Sequence, residues 1–589
     1  MCLLTESRLW NRKASMKNQE LSKIFFEMAD LLEMEGVSFK PFAYRKVALS
    51  LDGLKEDVGE IYRNGGVKAL HEISGVGEGI AAAIEEYLKT GKVKQLEALK
   101  KKLPMKIDEL LKVESLGPRK IKVLYEKLGV KDLKDLARAA KAHKIAPLFG
   151  FGEKTEKNIL QGLEFLKQSK GRFLLGEIMP TVKIIEERLK GRKEIKEISV
   201  AGSVRRRKET IGDIDILVVS DNPKKTSDFF VSMPEVEKVW AEGSTKCSVR
   251  IKEGFDVDLR MVPQKSFGSA LQYFTGSKEH NIATRKIAIE KGLKLSEYGV
   301  FRGAKQIAGK TEEEVYKAIG LPFIAPEMRE DDGEIQAALE NKLPILVEQK
   351  DIKGDLHCHT TSSDGENSLE EMVEAAMDLG YEYVGISDHS KFLGVTNGLD
   401  EKKLLVQHKK IYEINEKNKK QGKNFRVLHG CEVDIKPDGS LAIKDEVLEK
   451  LDYVIASVHS SMKMPQKEMT ARIIKALENK NVDIFGHPTG RLIGQRDEYQ
   501  MDFDKILETA KKTGTILEIN ASPYRLDLNG FNICRAKSQG VKMIINTDSH
   551  KKEQLDLMEY GVWQARRGWA EKSDIINTNS AEELLEYFK

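Results

Sequence analysis

Two aspartates one residue apart in IGDIDILVV (211–219) have a spacing that can do chemistry. In an extended strand alternate side chains share a face, so Asp213 and Asp215 lie side by side while Ile214 and Ile216 point the other way. Carboxylates held that close repel unless a cation separates them. A second strand, FDVDLRMV (255–262), again alternates acids, Asp256 and Asp258, and brings a third carboxylate within reach. Three hard oxygen ligands on adjacent strands suit Mg2+ or Mn2+, and a pair of such ions serves phosphoryl transfer. Upstream, GSVRRRKE (202–209) adds glycine and three arginines, a composition suited to anions.

A second chemistry lies further along. Eight of the eleven histidines fall between 357 and 550. They recur with acids where apolar strands end: GDLHCHTTSSDG carries His357, His359 and Asp364; YVGISDHS carries His389; VLHGCEVD carries Glu432. DYVIASVHSS carries His459, VDIFGHP carries His487, and VKMIINTDSH carries Asp548 and His550. Clustering of this kind points to metal. His357 and His359 share a face while Cys358 points away. Helical segments separate the strands, which predicts a β/α barrel with its chemistry at the C-terminal strand ends. His408, on a lysine-rich helical stretch, and His429, inside a strand, fall outside the pattern. Arg491 and Lys551, near strand ends, are candidates for phosphate contact.

These residues need several elements to position them. A chain of 589 residues exceeds one core and predicts roughly three to five domains. Basic and acidic side chains nearly balance, 97 against 93, so a polyanionic partner must be sought in local patches. Five scattered cysteines without a CxxC pair fit a reducing compartment. Without an apolar run of membrane-spanning length or a signal-type N-terminus, the expected location is cytoplasmic. Residues 1–15 lack helical periodicity, and 1–16 read as a disordered or non-native leader, with Met16 as the expected natural start. Up to about residue 170 the pattern is helical, and one unit recurs in LHEISGVGEGIAAAI (70–84), LLKVESLGPRKIKVLYEKLGV (110–130) and PLFGFGEKTEKNIL (147–160). Each is a helix, a glycine turn and a second helix. Gly75, Gly77, Gly79, Gly117, Gly150 and Gly152 allow close backbone approach and an anion site at the second helix, with Arg119 and Lys120 beside the second turn. The units resemble helix-hairpin-helix modules, which implies that they grip a DNA backbone without reading sequence.

The middle of the chain closely resembles the family X DNA polymerases: GSVRRRKETIGDIDIL matches the family's Gly-Ser, Arg and Asp-x-Asp tract, DVDLR its third-aspartate strand, and YFTGSKEHN (273–281) its nucleotide-contacting loop. The resemblance implies that Asp213, Asp215 and Asp258 hold two Mg2+ or Mn2+ ions, with Asp258 also activating the primer hydroxyl. Alternation alone leaves Asp256 and Asp258 on one face. It further implies that Arg172, Gly202, Ser203, Arg206 and Gly212 hold the incoming triphosphate, that Tyr273, Phe274 and Gly276 pack against the sugar, and that Asn281 and Arg285 touch the nascent pair and template. The N-terminal segment, with FAYRKVA (42–48), resembles the family's lyase domain. Ala83 and Gly79 stand where that domain has lysines, while Lys40 fits a third. The last third resembles the PHP phosphoesterases, whose distorted barrel binds up to three metals. All nine ligand positions are filled, by His357, His359, Asp364, His389, Glu432, His459, His487, Asp548 and His550. Mixed imidazole and carboxylate donors favour Mn2+, Zn2+ or Fe2+.

The expected architecture is therefore multidomain: an all-α helix-hairpin-helix N-terminal region, an α+β nucleotidyltransferase palm with thumb, and a C-terminal distorted β/α (PHP) barrel. Expected boundaries are 17–98 and 99–170 for the helical domains, 171–264 for the palm, 265–324 for the thumb, 325–350 for a linker that bends as DNA passes between centres, and 351–589 for the PHP domain. The expected function is gap-filling DNA synthesis in repair from dNTPs, as a monomer, with a metal-dependent 3′–5′ exonuclease and abasic-site cleavage in the PHP domain. Two other readings make the chain chiefly a DNA phosphoesterase on a polymerase-like platform, or make the PHP domain a structural metal scaffold.

Overall fold

The computed structural model describes residues 7–588, apart from 38, 53, 55, 74, 112, 114–115, 154, 158, 161–162, 164–170 and 393–395. Helices fill the N-terminal region, and their apolar stripes close on one core from Leu21 to Leu163. The first helix runs Ser7–Met34, so the expected leader is helical from residue 7. Its backbone hydrogen bonds simply continue those of the amphipathic stretch behind it.

The palm is a five-stranded sheet in the spatial order Ile195–Val200, Ile214–Ser220, Asp256–Met261, Lys246–Ile251, Val236–Ala241. The Ile214 and Asp256 strands run parallel, with Asp215 opposite Asp258. The thumb joins the helices Phe267–Thr275 and Lys278–Glu290 to a three-stranded sheet and the helix Glu312–Ala318.

The expected linker is packed. Met328 and Ala338 belong to the thumb core, and Leu343 and Leu346 lie against it. Arg329 is fully buried, donating to Glu312 Oε1 at 2.6 Å and to the Ile324 carbonyl at 2.9 Å. The charged composition that reads as a solvated connector is a set of paired side chains, since a buried guanidinium is tolerated only with partners.

The C-terminal domain has parallel strands in two sheets: Gly354–Asp355, Tyr383–Ile386 and Arg426–His429 in one, and Glu432–Asp434, Ile455–Ser457, Ile484–Phe485, Ile516–Asn520 and Met543–Asn546 in the other. Only Gly430 and Cys431 separate Arg426–His429 from Glu432–Asp434, and single bridges pair His389 with Glu432 and Cys358 with Ser549. These contacts bring the sheets round into a distorted barrel. Among the described residues, no helix is long and apolar enough to cross a membrane.

Candidate active sites

In the palm, the parallel register puts Asp215 beside Asp258, and Asp213 precedes the same strand. Burial first, then the Asp213 and Asp258 charges, push the Asp215 carboxyl up to about 7. Carboxylates crowded in this way fit a divalent cation. Asp258 accepts from Ser248 Oγ at 2.5 Å and lies 3.0 Å from Lys246 Nζ. Asp256 is instead committed to Arg250, 2.5 Å away, and to Trp240 Nε1 at 2.9 Å. The geometry thus separates two acids that alternation leaves equivalent.

Gly202 has φ +61°, and a Cβ there would stand 2.6 Å from Asp215 Oδ2. Glycine lets the Gly-Ser turn lie directly against the acid. The three arginines that follow go to different places. Arg205 reaches Thr275 Oγ1 at 2.7 Å and Glu312 at 2.5 Å. Arg206 bonds the Thr275 carbonyl and, at 3.2 Å, Glu330 Oε1. Arg207 stacks 3.8 Å over Trp563 of the C-terminal domain. Arg172 bonds Thr210 Oγ1 at 2.7 Å, and its Nη1 lies 3.7 Å from where a Cβ on Gly212 would sit, so both flank Asp213. Tyr273 and Phe274 meet edge to face at 5.0 Å, with Arg260 over Phe274 and Arg285 near Tyr273. Gly276, at φ +70°, ends their helix against Arg206. Asn281, expected at the nascent pair, turns inward: its amide donates to the Tyr273 carbonyl at 2.7 Å and accepts from Gln272 at 2.8 Å. It fixes the last turn of the helix that carries the two aromatic rings.

In the C-terminal domain all nine expected ligands converge. Among the described residues, three close-set donor groups form: His357, His359 and Asp548; His389, Glu432 and His459; and His359, Asp364, His389 and His550. His487 joins them through Glu432 Oε1 at 2.9 Å and His459 Nε2 at 3.3 Å. His357 Nε2 lies 3.4 Å from Glu432 Oε2 and 3.5 Å from Asp548 Oδ1. Donors about 2.1 Å from one ion in tetrahedral array stand roughly 3.4 Å apart. Consistent with that spacing, His357 Nε2 and Glu432 Oε2 are buried without a hydrogen bond. Burial works against an ionised Glu432, yet His459, His389 and His357 hold its carboxyl well below the usual range. Burial and the His389 and His550 rings lower His359 to about 3, so a neutral imidazole faces the acids. The residues fit divalent metal ions.

Sequence reasoning misses the supporting residues. Glu518 accepts from His357 Nδ1 at 2.6 Å and from the His487 N–H at 2.6 Å, and Asp434 holds His459 Nδ1 at 2.9 Å. Such partners fix ring orientation and tautomer. Arg525 Nε lies 3.5 Å from Asp548 Oδ2, and its buried Nη1 has no hydrogen bond. Arg491, a candidate phosphate ligand, instead pairs with Glu209 of the palm at 2.7 Å, because that strand end abuts another domain. Lys551 pairs with Glu366 at 2.6 Å. His429 contacts His408 and Gln407, both at 3.1 Å, outside the metal cluster.

At the N-terminal turns, Gly75 and Gly150 have φ of +88° and +82°. Gly77 and Gly117 start the helices Glu78–Thr90 and Pro118–Leu128 without a side-chain cap, leaving backbone N–H groups for a ligand. Gly79 is exposed and Ala83 buried. Arg119 is exposed beside Glu33, Lys120 lies over Phe151, and the Gly152 carbonyl accepts from the Glu156 N–H.

Four family descriptions match the chain: a helix-hairpin-helix domain over 16–93, a SAM-like helix-hairpin-helix tandem over 107–164, the DNA polymerase beta thumb over 270–330, and the PHP domain over 355–522. The chain is 40% identical over 579 residues, 98% of its length and all of the relative's, to a protein of Bacillus subtilis (strain 168) named DNA polymerase/3′-5′ exonuclease PolX. Over 207 residues, 33% of this chain and 78% of the relative, it is 31% identical to a protein of Clostridium acetobutylicum named a probable phosphatase. A relative of the same name in Thermoanaerobacter sp. (strain X514) is 29% identical over 40% of this chain and 94% of its own. With the aspartate register, the hairpins, the thumb and the PHP ligand cluster in one chain, it belongs to the PolX family, the family X DNA polymerases that carry a C-terminal PHP domain.

Proposed function

We infer that the chain extends DNA primers and removes nucleotides from their 3′ ends, with one activity in each half. The observation that carries this is the coexistence of two complete acid-rich centres in one chain, the Asp215–Asp258 register and the nine converging PHP ligands. The full-length likeness to a relative named for both activities supports it.

Asp213, Asp215 and Asp258 hold two ions in the palm, Mg2+ or Mn2+, and Asp258 takes the proton of the primer 3′-hydroxyl. Ser203, Arg206, Arg172 and the Gly202 and Gly212 backbone hold the triphosphate of a dNTP. Tyr273, Phe274 and Gly276 pack against its sugar, and Arg285 meets the template. Asn281 acts through Tyr273. The glycine turns grip the backbone of gapped or primer-template DNA. In the PHP domain the nine ligands hold up to three ions, Mn2+, Zn2+ or Fe2+ by their imidazole-rich donor set. Arg525, beside Asp548 with a donor to spare, steadies the scissile phosphate. When bound, the ions of each centre supply positive charge for activating a nucleophile and stabilising phosphoester oxygens. The working unit is a monomer that fills short repair gaps in the cytoplasm, at the nucleoid.

The test is a 5′-labelled primer on gapped DNA, with and without dNTPs, resolved on a sequencing gel. Asp213→Ala is expected to abolish extension and retain shortening, and His359→Ala the reverse. Loss of both activities in either variant, with the fold intact, would refute the division of labour.

A further inference from the structure

The turn that joins the Gly-Ser segment to the Asp213 strand is held from outside the polymerase half. Lys208 N–H donates to the Ser203 carbonyl at 3.0 Å and Arg206 N–H to the Gly202 carbonyl at 3.2 Å, so displacement of residues 206–209 is transmitted directly to Gly202 and Ser203. Three of these four residues contact the PHP domain directly. Arg567 Nη1 donates to the Arg206 carbonyl at 2.6 Å, Trp563 underlies the Arg207 guanidinium, and Arg491 pairs with Glu209. The fourth, Lys208, is reached through Glu330. That carboxylate lies 3.2 Å from Arg206 Nε, 3.2 Å from Arg567 Nη1 and 3.5 Å from Lys208 Nζ. Arg207 itself has φ +55°, a conformation that a non-glycine residue keeps only when its surroundings hold it.

We propose that Arg567, on the PHP helix Met558–Arg567, is a positioning residue of the polymerase centre: it holds the 206–209 turn and Glu330 so that Ser203 and Arg206 face the triphosphate. This rests on the polymerase reading above. Arg567 touches neither nucleotide nor ion; it acts through the Arg206 backbone and Glu330. The PHP domain thereby contributes to nucleotide affinity with a side chain remote from its own metal ligands. Loss of the fork that holds the Arg206 carbonyl and Glu330 predicts a rise of about tenfold in KM for dNTP, equivalent to about 1.4 kcal/mol.

The experiment measures kcat and KM for single-nucleotide incorporation on gapped DNA with full-length wild type, Arg567→Ala and Arg567→Lys. The exonuclease rate without dNTP is read on the same preparations. Arg567→Ala should raise KM for dNTP about tenfold, with kcat within threefold and exonuclease within twofold of wild type. Arg567→Lys, which keeps the charge but not the fork, should fall between. An unchanged KM in Arg567→Ala with normal exonuclease overturns the proposal and leaves the polymerase reading standing. If Arg567→Ala loses both activities through misfolding, Arg567→Lys decides: a KM at least threefold above wild type supports positioning, and a wild-type KM overturns it. A wild type that incorporates no nucleotide would refute the polymerase reading itself, and the proposal with it.

Discussion

Gly202→Ala is expected to silence primer extension in a protein that stays folded and keeps its exonuclease. Gly202 is in the left-handed region, and a Cβ on it would stand 2.6 Å from Asp215 Oδ2. The backbone conformation costs an L-residue roughly 1–2 kcal/mol, a minor part of the roughly 5–15 kcal/mol that stabilises a domain. The steric conflict weighs more. Non-bonded carbons rest about 3.5–4.0 Å apart, and an oxygen can come only a few tenths of an ångström nearer, so the carboxylate must retreat by roughly 0.6–1.1 Å. A constellation of this kind tolerates about half an ångström of error, and a displacement near 1 Å costs on the order of a hundredfold in rate. The expected outcome is a fall in kcat of about a hundredfold in single-nucleotide incorporation. Shortening of the same labelled primer, measured without dNTP, should stay within twofold of wild type. Incorporation at the wild-type rate would refute the reasoning, since it would mean that Asp215 is not held in place by the bare backbone of Gly202.

The palm centre should depend on pH through Asp215. With its carboxyl raised to about 7 by burial and by Asp213 and Asp258, an ion must displace a proton below that pH. The Mg2+ concentration giving half-maximal extension should therefore fall by up to about tenfold per unit from pH 6 to 7 and level off above. The sign for stability is opposite to that of a salt-bridged acid: without ions the fold loses stability as pH rises from 3.8 towards about 7, which thermal melts in chelator would register. For the hairpins, replacing Arg119 and Lys120 together by alanine should lower the slope of log affinity for duplex DNA against log salt by roughly 1.8, about 0.9 per phosphate contact. An unchanged slope would place the DNA elsewhere.

Much of both centres is legible from local pattern because their ligands sit where strands end. Strand periodicity puts Asp213 beside Asp215 and His357 beside His359 without reference to anything distant. The choice of Asp258 over Asp256 is not local, since it depends on which acid Arg250 and Trp240 claim across the sheet. Arg491 shows the limit more sharply. At a strand end beside metal ligands it reads as a phosphate contact, but its partner Glu209 is 282 residues away in another domain. Glu518 and Asp434 are likewise ordinary strand acids until the barrel brings them against His357 and His459. The stretch 325–350 has the charge of a solvated connector, and only the fold reveals that Glu327 meets Arg566, Arg329 meets Glu312 and Glu334 meets His280.

That packed stretch bears on how such a chain can be cut and recombined. A polymerase fragment ending at 324 would leave Glu312, almost fully buried, without Arg329, and the Ser277 N–H without the Arg329 carbonyl that accepts from it at 3.0 Å. Glu312 would keep only Arg205, and losing one partner of a buried ionic group together with the Met328 and Ala338 packing destabilises the thumb. Val347, by contrast, lies in the core of the PHP domain, its N–H bonded to the Ala570 carbonyl. The chain crosses from the thumb core to the PHP core at Leu346 and Val347, with Ile345 and Leu346 already meeting Glu571 and Glu327 meeting Arg566, so chimaeras that exchange PHP domains should keep 326–346 with the polymerase half and preserve Arg566 and Glu571. Limited proteolysis should accordingly spare this stretch.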